Sequence, residues 1–535
     1  MKKILAMLLV VMMLFSLTGC GLSAAQQILD ELLPESGADV PPSDTEDTES
    51  EGTPGEEDLL AAEIALKPLP LYCAPREGGE YNDEGLSLSY RWEEIALRET
   101  AELPLPELRE ALQKLSAERK AQALQNAEDL AATAQADAEN GGYAPAYAYE
   151  DDMTVRRADS LLISLLFCSR YNAGGAHPAR WYEGITLDAR TGAVLTIQDV
   201  FADTDILAQA IWDEVEALFP DGGLYEGMNA EKLGRMVEEN SLPWVLDPAG
   251  LTVVFSEYMI APYAAGISCV TIPYSWYPEQ FDVRCTQLPE AYAVELDPLS
   301  DVPVFFDVVP EDGYVDSVSA WNVMQDEWYS EQVTVGINGS EAVLYDGLSG
   351  AQSAYLLRMK NGMSAVYLFV SDGPGTDLHI GLLDAGGICS QTLVPDAGLP
   401  SLYMQEGGLY LELLTDPENF RLSFFVEMLS SMQGIRVYKT QPDASPYTAQ
   451  QDYLLENDFE LTLLRPMTFA LSEGGEKEFA AGTQLTFLAT DGSTWVDMCT
   501  GTGEEVRIYV DKSDWPDRVN GMDVFDCFDG MMYAG

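Results

Sequence analysis

Histidine occurs only twice in these 535 residues, at His177 and His379, and that scarcity narrows the available chemistry. There is no H-E-x-x-H pair for zinc, no G-x-x-x-x-G-K-[ST] phosphate loop and no G-x-S-x-G nucleophile turn. No calcium loop of the D-x-[DN]-x-[DN]-G type occurs either. Asp372-Gly373-Pro374-Gly375-Thr376-Asp377 brings two acids to a glycine-rich stretch, which reads as a turn rather than a metal site. The chain holds 89 acidic residues, so chance carboxylate pairs are inevitable. A glycoside-cleaving pair needs its carboxyls about 5 or 6.5–9.5 Å apart, which spacing along the chain does not fix. The expectation is of no catalytic residue, no metal and no cofactor.

Two stretches carry residue types suited to holding a ligand. The first runs Tyr171-Asn172-Ala173-Gly174-Gly175-Ala176-His177-Pro178, with Trp181 just beyond. Its glycines allow a backbone course closed to other residues, and His177 offers a hydrogen-bonding and stacking point. The same residues also read as a plain strand-joining turn capped by His177. The second stretch, Phe255 to Gly266, continues to Ile272-Pro273-Tyr274 and contains Tyr258 and Tyr263. Tyr171, His177, Trp181, Tyr258 and Tyr263 are the candidate ligand-binding residues.

These stretches also carry a resemblance. Gly174-Gly175-Ala176-His177 is followed by Asp188-Ala-Arg-Thr-Gly192, by Leu195-Thr196 and Asp199-Val200-Phe201, then by Ala261-Pro-Tyr-Ala-Ala-Gly266 and Ile272-Pro-Tyr274. Over residues 64–290 this order resembles the extracellular domain of lysozyme-sensing anti-sigma factors and of some Gram-positive polysaccharide deacetylases. The resemblance implies an α+β extracellular module, which in the sensors binds lysozyme, a basic protein. The T-F-D-D and H-x-x-x-H motifs of the deacetylases are missing, so only the binding role carries over. No sigma-binding segment precedes the leader, which excludes the sensor role.

At the N-terminus, Lys2-Lys3 precede a nearly unbroken apolar run from Ile4 to Leu17, followed by Leu17-Thr18-Gly19-Cys20. The run is shorter than the roughly 20 apolar residues that cross a bilayer, and has the size of a signal-peptide core. The tetrapeptide resembles the lipobox of bacterial lipoproteins, which implies lipidation of Cys20 and attachment to the outer face of the cell membrane. Two acyl chains hold a protein there without a spanning helix. From Asp30 to Asp58 there are twelve acids, four prolines and no Lys or Arg. Such a segment buries too little apolar surface to order itself, and residues 20–63 are expected to be an extended spacer.

The formal net charge is −61, which repels nucleic acid and favours basic partners at long range. Seven cysteines besides Cys20 are dispersed, without a C-x-x-C, and do not suggest a disulfide framework. Cys269 and Cys285 could pair across adjacent strands, which the sequence alone does not fix.

These features need elements to position them. The expected fold is multi-domain. An α+β unit spans 64–295, in subparts 64–150 and 150–295. A β-rich domain, sandwich or propeller-like, spans 296–457, and a small SH3-like barrel spans 458–535. In the first unit the patterns predict a strand over 86–95, a helix over 107–140, a tyrosine-rich loop at Tyr143, Tyr147 and Tyr149, and strands over 160–170, 181–188 and 194–197. A helix over 204–219 should bury Ile206, Ala210, Ile211, Val215 and Leu218. A second helix near 230–240 and strands over 251–255 and 270–273 complete it. In the last, Ala481–Leu488 followed by Trp495-Val496-Asp497 resembles bacterial SH3-like domains. Together these features point to a surface lipoprotein that binds wall glycan or a basic wall-directed protein such as lysozyme. The alternatives are a wall-polysaccharide hydrolase and a solute-binding lipoprotein.

Overall fold

The computed structural model describes residues 66–533, apart from breaks at 83–84, 99–103, 140–146, 176, 299, 310–313, 325–329, 350, 372–374, 401, 406–407 and 457–458. The leader, Cys20, the acidic spacer, Tyr143 and half of the Asp372–Asp377 turn lie outside the described residues.

Strands β1 (Leu71–Asn82) and β2 (Gly85–Leu97) run antiparallel, Leu71 opposite Leu97. Helix α1 (Pro106–Glu139) then carries the chain back, so that β3 (Tyr147–Ala158) lies parallel to β2, Leu88 beside Tyr147. A parallel neighbour needs such a crossover, because a tight turn only reverses the chain. Pro106 opens α1 where its missing N–H has no partner to lose. Leu108, Leu112, Leu115, Ala123, Ala127 and Leu130 recur every three, four or eight residues and are buried. β4 (Leu162–Asn172) and β5 (Ala179–Asp188) extend the sheet antiparallel. At its other edge, strands 402–405 and 408–412 complete seven, with Tyr72 opposite Glu412. Tyr147 and Tyr149, expected in a loop, are buried in β3 beside α1, in a cluster with Trp92, Ala123 and Leu130.

The turn after β5 forms where the sequence places it. The Asp188 carboxylate accepts from the N–H groups of Arg190 and Thr191 at 3.0 and 2.9 Å. Gly192 has φ +68°, and a Cβ there would fall 2.5 Å from the Glu107 carbonyl oxygen, so this turn rests on the start of α1. The expected strand over 194–197 does not form. Val194 makes one isolated bridge to Leu187, and Ile197–Val200 is a helical turn, α2, because Thr196 and Asp199 close a capping box.

Helices α3 (Thr204–Leu218) and α4 (Ala230–Glu238) are capped by the Asp203 and Asn229 side chains. They share a core with the three-stranded sheet of β6 (Trp244–Asp247), β7 (Gly250–Phe255) and β8 (Ser268–Pro273). Leu207, Ala210, Ile211 and Val215 enter that core. Ile206 is only partly buried, and Leu218, expected inward, is 50% exposed at the last residue of its helix.

Two consecutive buried arginines fasten the large sheet, Arg156 to the three-stranded sheet and Arg157 to the segment that follows it. The β3–β4 register slips between Val155 and Arg157, so Arg156 occupies a bulge and both guanidinium groups are buried. Arg156 reaches Asp247 at the end of β6, and Arg157 donates to Asp159 and to the carbonyls of Arg284 and Cys285.

Beyond β8, strand β9 (Tyr292–Leu296) joins strands 351–358, 364–371, 377–384 and 387–394 in one antiparallel sheet. Strands 304–306, 316–324, 330–337 and 340–349 form another. Val294, Phe306, Val318, Val335, Leu356 and Leu368 belong to the single core these sheets share. No propeller is found among the described residues, because the strands divide between two sheets over one core instead of radiating as blades. From residue 399 a branched fourteen-stranded sheet runs to 529. Leu454 opposite Ala489 joins its two halves, and Leu461, Met498, Ile508 and Phe528 lie in its core. The expected closed barrel is not found among the described residues, since these strands continue into those before 457. The seven described cysteines are free thiols, Cys269 and Cys285 included.

Candidate ligand-binding surface

Strand alternation divides the candidate residues between two faces. Ser169 lies opposite Trp181 and Tyr171 opposite Ala179, which puts Tyr171 and Trp181 on one face of the β4–β5 pair. There they pack partly buried with Tyr149, Leu130 and Trp92, under α1. The Trp181 and Tyr149 rings lie 6.4 Å apart. These two residues belong to the packing of the large sheet and are separated from the other three.

His177, Tyr258 and Tyr263 come together. The His177 and Tyr263 rings stack at 4.0 Å with planes 14° apart, and Tyr258 stacks on Tyr263 at 5.8 Å and 29°. Tyr258 is 45% exposed and Tyr263 38%, so three rings form a short row open to solvent.

The backbone explains the row. Residues 256–259 turn sharply after β7, with the Met259 N–H donating to the Ser256 carbonyl at 3.1 Å. Tyr258 has φ +65° in that turn, a left-handed conformation rare for an aromatic residue. Two contacts fasten the turn to β5: the Tyr182 N–H donates to Ser256 Oγ at 2.9 Å, and Arg180 pairs with Glu257 at 3.4 Å. His177 lies two residues before β5 and is therefore held near the same turn. Tyr263 starts a single 3-10 turn, Tyr263–Ala265, which Gly266 ends at φ +70°.

Charged groups lie on the same turn and on the strand to which it is fastened. Arg180 bridges Glu257 and the exposed Asp301, 2.5 Å away. The second carboxylate oxygen of Glu257, Oε2, is buried without a hydrogen-bond partner among the described residues. Arg180, Ser256, Glu257 and Asp301 were missed in the sequence. The alternation of Arg180 and Tyr182 against Trp181 was the available signal for the first of them. The surface thus offers flat apolar faces beside a guanidinium and two carboxylates, an arrangement suited to binding by stacking and hydrogen bonds.

A second set of titratable groups lies deeper. β2 and β3 pair only as far as Arg91 and Glu150. Beyond that point the Met153 N–H donates to a carboxylate oxygen of Glu93 and the Val155 N–H to one of Glu295, each at 3.0 Å. Two side chains thus stand in for a missing strand. Burial, and then the charges of Asp152 and Glu295, push the Glu93 carboxyl up to about 8. Burial pushes Glu295 up to about 7. No group of three or more His, Cys, Asp or Glu arranged to hold a metal ion is found among the described residues.

Residues 198–275 match the DUF3298 family, a protein of unknown function. That match lies inside the 64–290 span of the resemblance. The DUF3298 segment contains α3, α4 and β6–β8, and supplies Tyr258 and Tyr263 to the ring row, while His177 and Arg180 come from outside it. Two solved DUF3298 family proteins are similar to this chain. One from Bacteroides fragilis NCTC 9343 is 17% identical over 41% of this chain and 96% of its own, with a TM-score of 0.31. One from Pseudomonas aeruginosa PAO1 is 18% identical over 42% of this chain and 98% of its own, with a TM-score of 0.27. No curated protein matches the chain.

Proposed function

We propose that this chain is a lipid-anchored binding protein on the outer face of the cell membrane, tethered through Cys20, that takes a cell-wall glycan on the His177–Tyr263–Tyr258 row. The row itself carries the reading: three exposed rings stacked in line and rimmed by Arg180, Glu257 and Asp301. A sugar ring presents a flat face of C–H groups to an aromatic ring, and its hydroxyls reach rim charges that both donate and accept. The strained backbone at Tyr258 supports it, since such conformations cluster at functional sites. The acidic spacer lifts the folded part into the wall. The role is binding, not catalysis.

Retention of the full chain, held in mild detergent, on purified peptidoglycan tests this. The unaltered chain should be retained, and Tyr263→Ala should be lost to the flow-through while keeping its circular dichroism spectrum. Equal retention of the two overturns the assignment. A second reading, a basic protein such as lysozyme as the ligand, draws support from the net charge of −61. Such binding would weaken steeply with salt, whereas ring stacking would not.

A further inference from the structure

A second cluster of exposed rings lies at the end of the chain, far in sequence from the first. Trp515 is 63% exposed, Phe525 47% and Met532 54%. Trp515 meets Phe525 at 5.8 Å and Tyr533 at 5.3 Å, with ring planes near perpendicular, and Phe525 meets Tyr533 at 6.0 Å. Exposed large apolar groups gathered in one patch mark an interaction surface more often than a scattered residue does.

The charges around the patch say what kind of partner fits. Residues 511–529 hold six aspartates against Lys512 and Arg518. Asp517 is buried at 5% exposure, and Asp523 fixes the start of the 524–526 turn by accepting from the Phe525 N–H at 2.9 Å. Lys512 donates to the Glu427 carbonyl at 2.6 Å and is engaged there. The Tyr533 hydroxyl is buried without a hydrogen-bond partner among the described residues. Burial, and then the charges of Asp517, Glu427 and Asp523, push it up to about 12, so three carboxylates act on one phenol oxygen.

We propose that the Trp515–Phe525–Tyr533 patch binds a primary ammonium group on a peptide side chain, lysine-like in reach. The ring faces attract the cation through their quadrupoles, with Trp the strongest, and the apolar stem covers Phe525 and Met532. The Glu427 and Asp523 carboxylates accept the ammonium N–H bonds, which a quaternary ammonium could not supply. This site is separate from the glycan surface and does not depend on it.

Calorimetric titration of the full chain with Nα-acetyl-lysine amide tests the assignment, alongside the uncharged norleucine analogue and tetramethylammonium. The lysine compound should bind, the norleucine analogue at least tenfold more weakly, and tetramethylammonium more weakly than lysine. Trp515→Leu keeps the apolar bulk and removes the π face, and should weaken lysine binding about tenfold. Glu427→Gln should weaken it severalfold, less so in high salt. Equal binding by norleucine, tighter binding by tetramethylammonium, or full affinity in folded Trp515→Leu would each overturn the proposal. Peptidoglycan retention measured on Trp515→Leu separates the two sites: it should persist if the His177–Tyr263–Tyr258 row carries the glycan.

Discussion

Arg156 and Asp247 meet through two parallel N–H···O bonds of 2.7 and 2.9 Å, and neither side chain is more than 1% exposed. Thr252 adds a hydroxyl bond of 2.6 Å to the same carboxylate. The pair joins β3 of the large sheet to β6 of the small one. Removing one member leaves a buried charge without its counterpart, which typically costs about 3–5 kcal/mol. Asp247→Ala should therefore lower the unfolding free energy by about that amount in urea titrations. Replacing both, as Arg156→Met with Asp247→Leu, should recover most of the loss. A single mutant as stable as the parent would refute the role.

Tyr258 separates stability from binding. Its φ of +65° is easily reached by glycine and is strained for tyrosine. Tyr258→Gly should leave the thermal midpoint unchanged or raise it slightly, worth up to about 1 kcal/mol, because backbone strain is relieved. The same variant should lose glycan retention, since one of three rings is gone. Thermal melts and the peptidoglycan assay on the same sample check both halves.

The carboxyls of Glu93 and Glu295 set a pH dependence. Their folded values, about 8 and about 7, lie above the ordinary glutamate value of 4.5. Between those limits the folded chain binds more protons than the unfolded chain, so stability falls as pH rises. The contribution is complete below about pH 4.5 and is lost as pH climbs through 7 to 8. Glu93→Gln should keep an acceptor for the Met153 N–H and flatten this slope. Urea midpoints from pH 5 to 9 for both chains provide the measurement. A slope identical in the two would sink the explanation.

Gly184 in β5 marks a close approach of backbones. A Cβ at this position would lie 1.8 Å from the Trp244 carbonyl oxygen, the first residue of β6. Gly184→Ala should force the two strands apart at a cost of about 1–3 kcal/mol. It should also loosen the Ser256–Met259 turn, which hangs from Tyr182 nearby. Hydrogen exchange at the Tyr182 amide would report that loosening directly.

Local signals in the sequence reached the periodic elements. The stripe of Leu108, Leu112 and Leu115 placed α1, and Asp188-Ala-Arg-Thr-Gly192 placed its turn. Val194–Ile197 does not form its strand because the capping power of Thr196 and Asp199 outweighs a short β-like run. Tyr147 and Tyr149 lie in a strand and not a loop because their burial under α1 is a tertiary fact that composition does not show. At the candidate surface, the two stretches that supply His177, Tyr258 and Tyr263 were legible from their glycines and aromatics. That Trp181 turns to the opposite face while Arg180 joins the rim depends on strand alternation. Glu257 and Asp301 reach the rim through an ion-pair partner set by the fold.

The first strand of the large sheet waits for the latter half of the chain. Tyr72 and Cys73 pair with Glu412 and Leu411, and the Thr415 hydroxyl donates to the Leu69 carbonyl across 346 residues. Synthesis proceeds from the N-terminus, so this edge of β1 emerges long before its neighbour exists. An unpaired edge is open to pairing with another chain during that interval. Truncation anywhere between β9 and residue 408 would make the interval permanent, and the fragment should then self-associate through β1 instead of remaining monomeric.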